Sequence, residues 1–410
     1  MQKFIKAIER INYWAIIFLP FALAISTGLM NTFIGLFIGS AILKKILKKE
    51  WYFIKTPVNL PFLFFILVAL ISFYNTIDYR SSFKGIEKLL KYGLLFLACA
   101  DQIKDIRHLK RIITSIVFFV GLIGLDGVWQ FIFKNDFIHG HALLSCLIHL
   151  PRVTASFSAP NGMGIYLAIL TPLLFGLAFF YLKGWKRYLV AAAAVLGGVG
   201  IFLTFSAGAA IGFFVAVLFI AVVRKHKVIL ASILVILLIA PFILPKNLKD
   251  WARKVNYNPI TFVCGTERIT LYATATNMIR QHPVIGVGVN TFSKNYGRYK
   301  LADMEKYAAT QDGMYAHNNF LHMGAEVGLL GLGIFLWFLV MLFRNGWQIY
   351  KKTESGFLQI TALSLIAGVI AFLINGLTET SLYNQIGAVF WFIVGLLLCL
   401  NNFSENKELS

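Results

Sequence analysis

The segment YAHNNFLHMGAEVGLLGLGIFLWFLVMLF, residues 315–343, decides the fold because it joins a long polar stretch to a long apolar one. Residues 246–316 are polar over most of their length, whereas 317–343 is apolar and long enough for a membrane-spanning helix. A histidine, His317, stands at the junction. Apolar runs recur on both sides of this segment, which predicts a polytopic membrane protein with one large water-exposed loop.

The composition supports this class. Of the 410 residues, 58% are hydrophobic and 14% are charged, against about 25% charged residues in soluble domains. The mean hydropathy is +0.74. A membrane β-barrel would show short segments of alternating polarity instead of long apolar runs. The predicted fold class is therefore all-α integral membrane.

Twelve apolar segments are long enough to cross a hydrocarbon core of about 30 Å as helices. They are predicted at 12–28, 29–44, 58–75, 86–100, 111–133, 160–182, 187–205, 207–223, 227–245, 317–343, 357–376 and 385–402. The chain then divides into nine spans in 1–245, a partly helical loop in 246–316, and three spans with a short tail in 317–410.

The distribution of positive charge predicts the orientation. The net charge is +20, and most basic residues of the short connections fall on alternate sides. They lie at 3–10, 44–55, 104–111, 183–187, 224–227 and 344–352. The positive-inside rule places these segments and both termini in the cytoplasm, and the loop 246–316 outside. Orientation explains the net charge, so nucleic acid is not an expected partner.

His317 is the first candidate for chemistry. Histidine titrates near neutral pH and can accept or donate a proton, which fits a general base at a membrane–water boundary. The alternative is a polar residue that helps to cap the helix start, as Asn318 and Asn319 can also do. Position alone leaves both interpretations open.

Acidic residues within or beside spans are the second group of candidates. Glu326 lies nine residues after His317, about 13 Å further along the same helix and half a turn out of phase. A carboxylate at that depth needs a partner or a wet cavity, so it either ties the span to a neighbour or binds substrate. Asp126 in the fifth span and Glu379 after the eleventh carry the same two interpretations.

Arg268 stands near the start of a helix predicted over Thr266–Arg280. A guanidinium beside free backbone N–H groups forms a good anion site. The alternatives are an ion pair with Glu267 or a solvated surface charge. The helix is predicted to end at Gln281-His282-Pro283.

Further basic residues lie in the predicted outer segments. Arg152 occupies a short outer loop, where membrane topology disfavours positive charge, so binding of an anion is one explanation for it. Lys84, Lys88 and Lys91 share one helical face at the start of the fourth span. They either line an anion-binding cavity or extend their ammonium groups to the interface.

No metal site and no cofactor are predicted. His139, His141 and His149 share one outer loop, but their spacing matches no usual zinc ligand set. Cys146 and Cys264 both fall in outer segments, where they either pair or remain separate thiols. The sequence has no phosphate-binding loop and no dinucleotide fingerprint, so any reaction must use an already activated substrate.

Three segments combine polar residues and glycines at fixed spacing. They read Phe157-x-x-Pro160-Asn161-x-x-x-x-Tyr166-Leu167, Thr266-Glu267-Arg268…Pro283-x-x-Gly286-x-Gly288-x-x-x-Phe292 and His317-Asn318-x-x-Leu321-x-x-x-x-Glu326-x-Gly328-x-x-Gly331. In this order, with the long loop before the histidine, they resemble the O-antigen ligase and O-antigen polymerase superfamily. The resemblance is greatest to the ligases that attach a surface polymer to lipid A-core.

The resemblance implies a bacterial inner-membrane glycosyltransferase that inverts configuration and uses no metal. It would move O-antigen polysaccharide from undecaprenyl diphosphate to lipid A-core on the periplasmic face, with membrane lipids around it. His317 would activate the acceptor hydroxyl, and Arg268 would bind the diphosphate leaving group. The predicted substrate-binding residues are Arg152, Lys84, Lys88, Asn318 and Glu326.

One position departs from the family pattern. A second arginine is usual in a Thr-x-Ser-Arg-Gly run, but here the run is Thr204-Phe205-Ser206-Ala207-Gly208. Ala207 therefore stands at the place of the missing arginine. Either Arg152 or a loop residue supplies the second cation, or the chain is impaired in transfer.

Other functions remain open at this stage. An O-antigen polymerase shares the histidine motif but extends the chain on undecaprenyl diphosphate. A protein O-oligosaccharyltransferase would usually carry a larger C-terminal periplasmic domain. A transporter of lipid-linked oligosaccharides, from a different class, would need charged groups deep in several spans, and mainly Asp126 and Glu326 meet that description.

Overall fold

The computed structural model describes residues 1–410 except 51–53, 146–150, 244–245, 302–314, 383 and 405–410. The described residues are mostly helical. The helices are α1 (Gln2–Ile25), α2 (Thr27–Lys48), α3 (Asn59–Ile71), α4 (Tyr79–Gln102), α5 (Ile106–Phe133), α6 (Pro160–Phe180), α7 (Gly184–Leu203), α8 (Ala207–Val223), α9 (Lys227–Ile243), α10 (Lys246–Lys254), α11 (Pro259–Gln281), α12 (Phe292–Tyr299), α13 (Asn319–Lys352), α14 (Gly356–Asn375), α15 (Gln385–Cys399) and α16 (Asn401–Ser404). A 3₁₀ helix (Ser72–Asn75) continues α3, and strands β1 (Leu144–Ser145) and β2 (Pro151–Arg152) pair antiparallel.

Each of the twelve predicted spans coincides with a helix. Eight segments of the described chain are long and apolar enough to cross a membrane by length and composition: α1, α2, α5, α6, α7, α13, α14 and the stretch from α15 into α16. Helix α3 with its 3₁₀ extension and helix α8 are apolar but shorter. The all-α membrane class is confirmed, and the number of twelve spans stays a prediction.

Several helices extend beyond their predicted spans into charged flanks, among them α1, α4 and α13. Helix α1 begins at Gln2, α4 begins at Tyr79 and α13 continues to Lys352. Lysine, arginine, glutamate and glutamine are good helix formers, so the helical hydrogen bonds continue where the apolar sequence stops. The start of α4 is fixed by Asp78, whose side chain accepts a hydrogen bond from the backbone N–H of Ser81 at 3.1 Å.

Helix α15 forms the centre of the membrane domain. Its residues from Ile386 to Cys399 are all buried, because the helix is apolar around its whole circumference. The indole of Trp391 packs among three phenylalanine rings at centroid distances between 5.5 and 5.7 Å. These rings belong to Phe62, Phe96 and Phe338. The N-terminal end of α15 and residues 376–382 before it are therefore held on a packed core.

Helix α13 is interrupted at Gly328, where the backbone has φ 71° and ψ 178°. The interruption frees backbone groups, and the segment that follows α11 binds them. The N–H of Leu329 donates to the carbonyl of Pro283 at 2.8 Å, and the N–H of Val287 donates to the carbonyl of Ala325 at 2.9 Å. Irregular backbone at membrane depth needs such partners, so this loop and α13 form one hydrogen-bonded unit.

A Gly328→Ala substitution should destabilise the protein. The observed φ and ψ are accessible almost only to glycine, and an added Cβ would lie 2.1 Å from the carbonyl oxygen of Val284. We expect a loss of roughly 2 kcal/mol or more, measured as a lower thermal unfolding midpoint in detergent.

Gly333→Ala is the matched control for this substitution. Gly333 lies in the same helix, and a Cβ there would meet nothing within 4 Å. Replacing a helical glycine by alanine stabilises a helix by up to about 1 kcal/mol, so the control should unfold at the same temperature or slightly higher. Equal unfolding midpoints for the two variants would contradict the interpretation of the kink.

Candidate active site

The site lies where the connection 376–384 meets the residues that precede α13. Backbone and side-chain hydrogen bonds join these two segments. The N–H of Asn318 donates to Thr380 Oγ1 at 3.1 Å, and the N–H of Asn319 donates to the carbonyl of Gly376 at 2.7 Å. The Asn319 side-chain oxygen accepts from the N–H of Ser381 at 2.8 Å. His317 is thereby held over the N-terminal end of α15.

His317 itself has a left-handed backbone conformation, with φ 47°. Such a conformation is uncommon for a residue other than glycine and is often found at functional sites. The hydroxyl of Tyr272 donates to the His317 carbonyl at 3.2 Å. The cap of α13 is supplied by Asn318, whose side-chain oxygen accepts from the N–H groups of Phe320 and Leu321. The imidazole of His317 is therefore not needed as a helix cap.

The carboxylate of Glu379 connects the predicted catalytic residues. Its Oε2 lies 2.9 Å from His317 Nδ1, and its Oε1 accepts a hydrogen bond from Arg268 Nη2 at 2.6 Å. The side-chain amide of Asn161 also donates to Oε1. A second guanidinium nitrogen of Arg268, Nη1, donates to the carbonyl of Thr378 at 2.7 Å. One acidic side chain thus brings α6, α11 and the start of α13 together.

The surroundings of Glu379 keep it ionised. Burial by itself raises the pKa of the carboxyl, but the hydrogen bond from His317 and the positive charges of Arg268 and His317 outweigh it. The amide of Asn161 acts in the same direction, and the pKa lies below its ordinary value. An ionised carboxylate accepts a hydrogen bond from Nδ1–H, so Nε2 is the ring nitrogen left for a ligand, and it is the basic atom whenever the imidazole carries a single proton.

Nε2 of His317 is open to a ligand. Within the described part of the chain it has no hydrogen-bond partner, and the side chain is 33% exposed. By comparison, Glu379 is 12% exposed. The geometry is that of a base whose orientation is fixed by a buried carboxylate, which is the arrangement expected for proton abstraction from a hydroxyl.

Arg152 reaches the same site from β2. Its Nη2 donates to the side-chain oxygen of Asn161 at 2.7 Å, and its Nε donates to the carbonyl of Thr204 at 2.7 Å. Asn161 therefore links Arg152 to Glu379. Two guanidinium groups, one from the loop before α6 and one from α11, lie on either side of one asparagine–glutamate pair.

Ala207, the position of the missing family arginine, begins α8 beside this network. The turn before it passes through Phe205, which has φ 48°. A Cβ added to Gly208 would lie 2.1 Å from Thr378 Oγ1, so this turn packs directly against the residue that precedes Glu379. The side chain of Arg152 contacts the same turn, because its Nε donates a hydrogen bond to the Thr204 carbonyl.

Glu326 lies apart from His317. Its two carboxylate oxygens accept the backbone N–H groups of Asn290 and Phe292 at 2.7 and 2.9 Å. Nε2 of His322, one turn earlier on α13, lies 3.3 Å from the same carboxylate. The side chain is buried, and these contacts tie the loop after α11 to α13. Of the two interpretations, the contacts favour the structural one.

The lysines of α4 are placed near this second group. Nζ of Lys88 lies 3.5 Å from the side-chain oxygen of Asn290, and Lys91 donates to Asn31 at 2.9 Å. Lys84 is exposed. Lys88 thus contacts the Asn290 loop, and no contact in the described residues joins Lys84 or Lys88 to Glu379.

The expected position of Arg268 at a helix start is wrong. Helix α11 begins at Pro259, so Arg268 is nine residues into the helix and has no free backbone N–H groups around it. Proline is favoured in the first turn of a helix, and the residues that follow it sustain the helix. The anion-binding potential of Arg268 therefore comes from its guanidinium alone.

Two site residues were not selected from the sequence. Glu379 was noted only as an acid near the membrane, and Asn161 only within a family-like segment. The sequence signal that could have identified Glu379 is a charged residue between two apolar spans, because burying such a charge costs free energy unless it has partners. Its partners are 62 and 111 residues away, and local periodicity cannot indicate such pairs.

The structure does not describe the side chains of the two cysteines that either pair or remain separate thiols. Cys146 and the side chain of Cys264 lie outside the described residues. Cys99 and Cys399 are free and buried.

These features define a multi-pass helical membrane protein with a polar site at one end of its spans. Residues 192–336 match a family model described as O-antigen ligase. The match supports a domain of the O-antigen ligase and polymerase superfamily within these residues, and members of that family are membrane enzymes of the glycosyltransferase type. The match contains Arg268 and His317, whereas Arg152 and Glu379 lie outside it. No curated protein matches the chain.

A Glu379→Gln substitution should change how stability depends on pH. Because the pKa of Glu379 in the folded protein lies below 4.5, its ionised form stabilises the fold above about pH 4.5. This contribution is lost as the pH falls through the lowered pKa. The variant should unfold at a lower temperature than the original protein at about pH 7, and the difference should shrink toward about pH 3.

Thermal unfolding in detergent over this pH range measures the effect, and Glu354→Gln is the control because Glu354 is exposed between α13 and α14. The control should follow the original protein at every pH. A stability difference for Glu379→Gln that stays constant with pH would contradict the assignment of Glu379 as the charged centre.

Proposed function

We propose that the protein is an O-antigen ligase, which moves a polysaccharide from undecaprenyl diphosphate to lipid A-core on the periplasmic face of the bacterial inner membrane. The observation that carries the proposal is the contact of His317 with Glu379 beside the guanidinium of Arg268. This combination provides a base for an acceptor hydroxyl and a cation for a diphosphate. The match to the O-antigen ligase family supports the same reading.

In the proposed reaction, Nε2 of His317 takes the proton of an acceptor sugar hydroxyl. The hydroxyl oxygen then attacks the anomeric carbon of the donor, and the bond between that carbon and the diphosphate oxygen breaks. Attack from the side opposite to the leaving group inverts the anomeric configuration. Glu379 stabilises the imidazolium that forms and holds the ring in place, as a carboxylate does in other base–carboxylate pairs.

The leaving diphosphate gains negative charge as the bond breaks. Guanidinium groups that are already oriented stabilise such charge most effectively. A guanidinium has five N–H donors, and Arg268 uses two of them within the described residues, so donors remain for a phosphate. Arg152, linked to the same carboxylate through Asn161, is the proposed second cation. No metal or nucleotide takes part in the proposed proton transfer or in the breaking of the bond to the diphosphate.

The proposed orientation places this site outside and both termini in the cytoplasm. The segment 246–316 has ten basic and five acidic residues, which would attract the diphosphate and a phosphorylated acceptor. The lipid tail of the donor would lie among the spans. This arrangement explains why a glycosyl transfer is carried out by a membrane domain.

An assay with two acceptors tests the function. Polysaccharide linked to undecaprenyl diphosphate is supplied with lipid A-core and, separately, with a second lipid-linked unit. Glycosylation of lipid A-core is the expected result. Extension of the lipid-linked unit instead would identify an O-antigen polymerase, and transfer to neither acceptor would overturn the proposal.

In the same assay, His317→Ala should reduce transfer roughly 10²- to 10⁴-fold, because the acceptor hydroxyl loses its base. His282→Ala is the matched control, since His282 contacts Tyr299 and is not part of the site. The control should transfer at the original rate. Both proteins are checked for an unchanged elution volume in detergent, and undiminished transfer by His317→Ala would remove its role as base.

Arg152→Gln should lower transfer roughly ten- to hundredfold, because one of the two proposed cations is lost. Ala207→Arg should raise transfer in the original protein and restore it in the Arg152→Gln variant, since position 207 begins α8 beside Thr378. Initial rates at saturating acceptor measure these effects. Arg253→Gln, an exposed substitution in α10, is the control. Equal rates with and without Ala207→Arg in both backgrounds would contradict this prediction.

A further inference from the structure

The loop between α5 and β1 places three metal-ligating side chains together. Ligand atoms of Asp136, His139 and His141 all lie within 4.8 Å of one another. The two imidazole rings lie 5.1 Å apart between centroids with an angle of 25° between their planes. The histidine spacing alone predicted no metal site, and Asp136 supplies the ligand that the histidines lacked.

Asp136 is buried and already oriented. Its side chain is 0% exposed, and Oδ1 accepts the backbone N–H groups of Ile138 at 3.0 Å and His139 at 2.6 Å. Oδ2 accepts the N–H of His141 and lies 3.6 Å from Nδ1 of the same residue. Each carboxylate oxygen can accept more than one bond, so Oδ2 can also bind a cation beside the two imidazoles.

A second buried carboxylate lies directly beneath this loop. Asp126 of α5 is 0% exposed, and its Oδ1 accepts the N–H of Phe137, the residue next to Asp136, at 2.8 Å. Its Oδ2 is buried with no hydrogen-bond partner among the described residues. No lysine or arginine of the described chain pairs with either aspartate. Two acidic groups at this close range repel each other when both are ionised, and a divalent cation would supply positive charge beside them.

We propose that Asp136, His139 and His141 bind a zinc ion at the outer face of the membrane. Two imidazole nitrogens and one carboxylate oxygen are ligands that zinc prefers, whereas calcium and magnesium prefer oxygen ligands throughout. Bonds of about 2.1 Å in a tetrahedral site place ligand atoms roughly 3.4 Å apart. His139 and His141 are exposed, so rotation of their side chains closes the remaining distance and leaves the site open to entering metal.

The zinc site is connected to the segment that carries Arg152. The side chain of Gln130 donates to the carbonyl of His141 at 3.0 Å and accepts the N–H groups of Thr154 and Ala155 at 2.7 and 2.9 Å. Nδ1 of His141 also lies 3.3 Å from the Ala155 carbonyl. Zinc would therefore fix the backbone just after Arg152. This positioning role rests on the proposed function, whereas the binding of zinc does not.

Zinc binding is tested on the purified full-length chain in detergent, without donor or acceptor. The metal-free protein is titrated with zinc alone, and bound zinc is measured after dialysis. The expected result is one zinc per chain, a higher unfolding temperature with zinc and no such rise with magnesium. Cobalt should give the visible absorption typical of tetrahedral nitrogen and oxygen ligands.

The His139→Ala/His141→Ala double variant should lose this zinc, the temperature rise and the cobalt spectrum. The His226→Ala/His282→Ala double variant removes the same number of histidines elsewhere and should keep all three. Because His139 and His141 are exposed, their replacement leaves the core intact, which size-exclusion chromatography verifies. Equal zinc binding by the two double variants, or no zinc bound by the original protein, would overturn the proposal.

The link to Arg152 has its own test. Removal of zinc by a chelator should lower transfer by the original protein several-fold but should not lower the remaining transfer of Arg152→Gln. An equal proportional loss in both would overturn the positioning role. Failure of the transfer assay itself would concern the proposed function and would leave the zinc measurement unaffected.

Discussion

The ionised carboxylate of Glu379 makes the interactions on which the candidate site depends. A buried negative charge is stable only when hydrogen bonds and positive charges surround it. His317, Arg268 and Asn161 meet this requirement from three separate elements of the fold. The positions of these three residues are consequently interdependent, and the packed helix α15 next to them supports them rigidly. An orientation suited to proton transfer thus follows from the need to neutralise one charge.

Much of the fold could be predicted from the sequence, because the signals are local. A run of apolar residues indicates a span within its own length, and basic residues indicate a side of the membrane. Helix ends were less predictable: α13 continues to Lys352, and α11 begins at Pro259. The first difference arises because polar residues can extend a helix when nothing in the sequence stops it, and the second because proline is favoured in the first turn of a helix.

The site was predictable only in part, for a physical reason. His317 and Arg268 stand in patterns that can be read along the chain, and the half-turn phase difference already separated Glu326 from His317. The pairing with Glu379 depends instead on the packing of distant helices. Asp136 is a similar case, since its proposed value as a ligand comes from its burial within the loop rather than from its spacing to His139.

The kink at Gly328 also affects local unfolding of the protein. The backbone amides of Val287 and Gly288 donate hydrogen bonds to carbonyls of α13. The loop after α11 therefore cannot move away from α13 without breaking these hydrogen bonds. The loop after α11 and the turns of α13 around Gly328 should therefore exchange their amide hydrogens as one cooperative unit. Their protection should be far above that of an ordinary surface loop. The polar segment that first distinguished this sequence is thus tied, at residues 283–288, to the backbone of a membrane helix.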